Sequence, residues 1–174
     1  MTGKRPDPTE YAPHFERYMK LVPEEDISAA LAQQLAATAD LVGRIPESRV
    51  DYRYAPGKWT TREVIGHVVD TERIFGFRLL TFARGDKTPL MMADEDFYVK
   101  TGQFSRFSLE EWMEEFSLIR RSNIALVRHL PDEAWDRTGT VSGRSISVRA
   151  IAYLMVGHER HHMRIIRDLY GIES

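Results

Sequence analysis

An all-α chain folded as an antiparallel four-helix bundle is the architecture this sequence predicts, and three observations predict it. Apolar residues recur at helical spacing in four long segments, each opened by a capping residue, and no segment shows strand-length alternation. None of the 174 residues is a cysteine, so no disulfide framework staples a smaller fold. With 43% hydrophobic residues the chain can build one sizeable core, and a single domain spanning residues 1–174 is expected.

Pro6, Pro8, Pro13 and Pro23 punctuate an entry segment that reads as irregular through residue 26. Asp26 then caps a first helix carrying Ile27, Leu31, Leu35, Leu41 and Ile45 at helical spacing. Residues 46–57 read as a linker. Thr60 and Glu63 form a capping box, in which each side chain answers the other's free backbone N–H, and open a second helix running to about Arg84. Gly85 and Pro89 end it, and a long second connection through Met91, Asp94, Glu95, Asp96 and Tyr98 leaves room for a crossover. Ser108 with Glu111 makes another capping box, followed by Leu109, Trp112, Phe116, Ile119, Leu126 and Leu130 in a third helix that Pro131 stops. A short turn around Trp135 and a polar loop over 139–143 lead to the fourth helix, capped by Ser145 or Ser147 and closed at Gly171.

Charge narrows the function classes. Twenty-four basic against 26 acidic residues leave a net charge of -2, without the basic excess that binding to a phosphate backbone uses, so nucleic acid is not an expected partner. The lack of cysteine excludes a thiolate nucleophile and a Cys-ligated zinc, and fits a cytoplasmic protein. The first six residues form no apolar signal segment and the longest apolar run, 150–156, is too short to cross a bilayer; the chain is expected to be soluble, not exported and without a membrane partner.

The richest run is Gly157-His158-Glu159-Arg160-His161-His162. Residues at i and i+4 share a helix face, so His158 and His162 can chelate one cation. Heptad steps through Ile151, Met155, His158, His162, Ile165 and Leu169 place both imidazoles on the seam where core side chains belong, while His161 falls off it. His67, on a line with Val64, Thr71, Ile74 and Arg78 in the second helix, offers a third nitrogen. A lone seam histidine is usually a satisfied core residue. Several buried together cost free energy unless a shared partner takes up their lone pairs, and a metal does so. Three protein ligands leave a position open for water or substrate, the arrangement of a catalytic site. His158-Glu159-x-x-His162 also matches the zinc-protease motif H-E-x-x-H literally. Only twelve residues follow His162, none of them histidine, and no strands precede it to hold a peptide, so the pair is kept as a metal pair and the protease reading is set aside.

The segment Lys58-Trp59-Thr60-Thr61-Arg62-Glu63-Val64-Ile65-Gly66-His67-Val68-Val69-Asp70-Thr71-Glu72-Arg73, with Arg84-Gly85-Asp86, Asp94-Glu95-Asp96 and residues 157–162, resembles the DinB-like, YfiT-like family over residues 18–171. The resemblance implies a four-helix bundle, often dimeric, that binds one divalent metal through His67, His158 and His162. It also implies a small-molecule substrate and an activity as a metal-dependent hydrolase or as a transferase or isomerase using a low-molecular-weight thiol such as bacillithiol or mycothiol. The family shares its name with an unrelated translesion polymerase and implies no DNA chemistry.

Further candidates are read from position alone. Asp70, one turn from His67, could orient an imidazole or pair with Arg73. Glu159 is a candidate general base, although it is rotated roughly 100° from His158. Arg78 could meet an anionic substrate or lie at the edge of the core, and Arg78, Arg149 and Arg160 are the candidate arginines for an acidic thiol. Asp94, Glu95 and Asp96 read as a solvated loop, with a lid over the metal as the other reading, and Trp59, Trp112 and Trp135 read as core aromatics. His14 and His129 show no partner pattern. The metal could be zinc, nickel, copper or iron, all of which imidazole suits. The alternative to an enzyme is a non-catalytic metal-binding bundle or a stress-response interaction module.

Overall fold

The computed structural model describes residues 4–172. Four long helices dominate: α2 (Ile27–Gly43), α4 (Thr61–Ala83), α6 (Leu109–Arg128) and α7 (Val148–Tyr170). Between them lie the short helices α1 (Glu16–Met19), α3 (Glu47–Val50) and α5 (Glu95–Thr101), and a hairpin of β1 (Thr138–Val141) and β2 (Arg144–Ser147). Each long helix starts at the residue whose side chain can take up a free backbone N–H. Asp26, Thr60, Ser108 and Ser147 accept from Ala29, Glu63, Glu111 and Ala150, and Thr60/Glu63 and Ser108/Glu111 complete capping boxes. The last helix ends at Gly171, whose φ of +70° is the left-handed closure glycine adopts without cost.

Around the bundle the order is α2, α6, α4, α7. Arg128 at the end of α6 reaches Ser28 at the start of α2, and Tyr170 at the end of α7 bonds the Trp59 carbonyl before α4, so these two neighbouring pairs run antiparallel. Arg62 reaches the Phe107 carbonyl, and Tyr153 near the start of α7 donates to the Glu24 carbonyl just before α2, which makes α4/α6 and α2/α7 parallel. The long second connection produces this pattern by carrying the chain back along the bundle, so that α6 starts beside the start of α4. α5 forms within it and packs on α4.

Three expectations are corrected. Residues 16–19 are helical, and the entry segment is fastened, because Arg5 donates to the carbonyls of Met19 and Val22. The polar 139–143 loop is the turn of a hairpin in which Thr138 pairs Ser147 and Val141 pairs Arg144, so Ser145 lies in a strand and Ser147 is the cap. Four-residue strands are too short to show as alternation in the sequence. The Asp94–Asp96 run is solvent-exposed as expected but opens a helix and not a loop: Asp94 caps α5, accepting from the Phe97 N–H at 3.0 Å.

Two apolar clusters fill the core. One gathers Phe75, Leu79, Phe82, Leu31, Val127 and Ile151 at the hairpin end; the other gathers Val64, Val68, Trp112, Phe116, Met163 and Ile166 at the opposite end. Between them a layer of buried polar side chains crosses the bundle, comprising Gln34, Thr38, His67, Glu72, Arg120, Asn123, His158 and Glu159. Among the described residues no helix is long and apolar enough to cross a membrane.

Candidate metal centre

His67 projects from the second turn of α4, and His158 and His162 from the middle of α7. The Nε2 atom of His158 lies 3.1 Å from the Nε2 of His67 and 3.1 Å from that of His162. His67 and His158 are buried and His162 is half-buried. Imidazole nitrogens bound to one ion at about 2.0–2.1 Å stand roughly 3.0 Å apart in an octahedral arrangement and 3.3–3.4 Å apart in a tetrahedral one; the two 3.1 Å separations fall within that range, and all three nitrogens lie within 4.8 Å of one another. A proton on one Nε2 can join two of these rings at a time, whereas a cation takes up the lone pairs of all three together.

Electrostatics agree with this assignment. Burial pushes the His67 pKa down to about 4. His158 and His162 lie well below the ordinary histidine value, first through burial and then through their neighbouring imidazoles. All three are neutral at pH 7, the form that binds metal.

Aromatic rings frame the cluster. Tyr18 lies edge-on to His158 with ring centres 5.5 Å apart, Phe75 at 5.7 Å, and Trp59 at 4.8 Å from His67. Tyr18 reaches this place because α1 crosses α7 at Gly157, where an added Cβ would stand 2.4 Å from the Tyr18 carbonyl oxygen. Trp59 is therefore part of the site and not only of the core; its indole N–H donates to Asp96 at 3.2 Å and ties α5 to this side. The expected core placement holds for Trp112 and Trp135, both buried.

Beside the cluster opens a pocket of about 400 Å³, lined by His67, Asp70, Arg78, Glu95, Tyr98 and His158 among others. Asp70 is half-buried, its carboxyl pKa raised by burial. Arg73, its expected partner, pairs instead with Glu115 at 2.7 Å. Of the three candidate arginines only Arg78 lines this pocket; Arg149 pairs with Glu10 and Asp136, and Arg160 with Glu24. His161 packs edge-on against Tyr18 and stays outside the metal cluster. His14 lines the pocket mouth with Arg17, a placement no sequence pattern signalled because both lie on the separate entry segment. His129 caps the end of α6.

Glu159 requires the main correction. Its side chain is 1% exposed and pairs with the buried Arg120 at 2.6 Å, so it faces α6 and not the pocket. The sequence places Glu159 roughly 100° from His158 on the helix and does not show which element that direction meets. Every residue from Val148 to Glu159 is buried, because α1, the entry segment and the hairpin cover the outer face of α7. Farther on, a 3.6-residue period replaces the heptad, burying Met163, Ile166 and Tyr170 while Leu169 is half exposed.

A sequence profile of the DinB superfamily matches residues 30–166. No curated protein sequence matches the chain. Among solved structures the chain is similar to YfiT from Bacillus subtilis, a probable metal-dependent hydrolase with an unusual four-helix bundle topology (19% identity, TM-score 0.76, covering 96% of this chain and 91% of that one). It is similar to the DinB-like protein YjoA from Bacillus subtilis at 16% identity and TM-score 0.59, covering 83% and 89% of the two chains. A mycothiol-dependent maleylpyruvate isomerase aligns at 12% identity and TM-score 0.64, over 89% of this chain and 63% of that one. At these identities the likeness establishes a common fold.

Proposed function

We propose, on the premise that the chain belongs to the DinB superfamily, that it is a metal-dependent enzyme in which His67, His158 and His162 hold one divalent cation at the edge of the substrate pocket. The observation that supports this reading is the convergence of three neutral imidazoles beside a 400 Å³ pocket, with no cysteine or carboxylate in the cluster among the described residues. When bound, such an ion lowers the pKa of a coordinated water or thiol and supplies a nucleophile at neutral pH.

The chain's own residues do the rest. Tyr18, Trp59 and Phe75 wall the histidines and limit the water that reaches them. Asp70, in the pocket wall with a raised pKa, is placed to take a proton from the nucleophile or return it to the leaving group. Glu159 has no part in this chemistry, since Arg120 holds its carboxylate.

Hydrolysis of a small molecule is the simplest reaction of this set, because water needs no further binding site. Transfer to a low-molecular-weight thiol is the second reading, favoured by the cationic side chains Arg17 and Arg78 in the pocket and by the absence of any cysteine in the chain to supply sulfur itself. The deciding experiment loads the protein with zinc, nickel or iron and screens electrophiles with and without added thiol. Turnover without thiol that disappears on chelation supports the hydrolase; turnover only with thiol supports the transferase. A fully metal-loaded protein inert in both arms supports the non-catalytic bundle. A cytoplasmic homodimer is part of the same proposal, and light scattering reads the oligomeric state.

A further inference from the structure

Arg78 stands out among the buried cations. It is 7% exposed, and among the described residues no carboxylate pairs with it. Its Nη2 donates to the Met91 carbonyl at 3.0 Å and touches the Met92 sulfur at 3.9 Å, which leaves most of its five N–H donors without a protein acceptor. Its remaining nitrogens are not sealed from solvent and open onto the adjoining cavity, no carboxylate offsets the charge, and burial lowers the pKa. The side chain forms part of the wall between two cavities. One is the 400 Å³ pocket of the histidines; the other is a mostly apolar recess of about 90 Å³ lined by Ile146, Ile151 and Leu154 among others, sharing His14, Phe15, Phe75, Arg78 and Met92 with the first. Along α4, Arg78 follows His67 by eleven residues, three turns and about 16 Å of rise, so both project from one face, and helical side chains lean back toward the N-terminal end where His67 lies.

We propose that the substrate is a small amphiphilic carboxylate, its anion bound by Arg78, a short aliphatic group seated in the apolar recess and its reactive end directed to the histidines. This rests on the enzymatic reading above for the reactive end only. An apolar cavity of about 150 Å³ admits benzene, so the smaller recess suits a short alkyl group and not an aromatic ring.

The test titrates the chelator-stripped, full-length protein by NMR with straight-chain alkanoates from acetate to octanoate, and with the primary alkanols of matching length. Affinity is expected to rise up to about fourfold per methylene over the first few carbons and then level off. Alkanols should bind at least tenfold more weakly than the matching alkanoates, a comparison that needs no variant. Arg78→Gln should weaken every alkanoate at least tenfold, and Ser145→Leu, at an exposed strand position on the recess, should abolish the gain with chain length. Equal binding of alkanols and alkanoates, no dependence on chain length, unchanged binding in Arg78→Gln, or no binding at all would overturn the proposal. Because the protein is metal-free, a failed metal assay would remove the enzymatic reading and leave this result standing.

Discussion

His158 and Glu159 are adjacent on one helix, both buried in the polar layer, yet they belong to opposite kinds of site. On the Glu159 side Arg120 makes a two-pronged contact with Glu72 at 2.8 and 2.9 Å, Asn123 donates to Glu72 at 2.8 Å, and Arg120 meets Glu159 at 2.6 Å. Burial pulls the Arg120 pKa down, but Glu159 and Glu72 more than offset it, and the guanidinium stays charged. On that side opposite charges meet inside the protein, with Arg120 between the two carboxylates, although neither Glu159 oxygen accepts a well-formed hydrogen bond and burial raises the Glu159 pKa. On the His158 side three neutral rings bring lone pairs together, and the groups they face are each other and a pocket. One half binds α4, α6 and α7 to one another; the other keeps its valences open for something from solution. A buried polar layer is thus divided between structure and function by whether its members pair as opposite charges.

Breaking the ionic half should have the largest effect. Arg120→Leu strands two carboxylates in the core and is expected to cost about 3–5 kcal/mol in urea unfolding; a loss under about 1 kcal/mol would show that the ionic contacts are incidental. Filling the open half comes next. At free metal a thousandfold above its dissociation constant, stability should rise by about 4 kcal/mol in the wild type and not in His158→Leu, whose metal-free stability should match or exceed the wild type's.

Acidification sharpens the contrast. In metal-stripped protein His67 takes up its proton near pH 4, whereas in the unfolded chain it does so near the ordinary 6.5. Between those values the unfolded state holds more protons, so stability falls as pH falls through this window, by about 3 kcal/mol for this group. His67→Phe should lessen that slope, with His158 and His162 supplying what remains, and urea midpoints measured from pH 7 to 4 would contradict the account if both proteins fell equally steeply. The smallest effect is expected at the crossing of α1 over α7. Gly157→Ala must push back the Tyr18 backbone, at a cost of about 1–3 kcal/mol and with weaker metal binding as the wall beside His158 loosens; unchanged stability and affinity would show that α1 does not shape the site.

Much of this was legible in the sequence. The helix starts at Asp26, Thr60 and Ser108 were readable because capping is local chemistry, and the three histidines because their spacing and their seam positions agree. The contributions of Tyr18 and Trp59 were not, since they depend on how a separate short helix and a loop pack on α7 and α4. The role of Glu159 was missed because a helix covered on its outer face has no solvent side for an off-seam residue to reach. Its partner Arg120 lies on α6 and also holds Glu72 of α4, 48 residues away from it in the chain, and nothing in any of these neighbourhoods announces the contacts.

The central claim is that the open half of the polar layer is a metal site. Elemental analysis of the untagged protein, as wild type and as His67→Ala, His158→Ala and His162→Ala, tests it most directly. The account predicts close to one divalent ion per chain in the wild type and little in each variant, with helical content retained throughout. A wild type that carries no metal and takes none up when it is offered would contradict it.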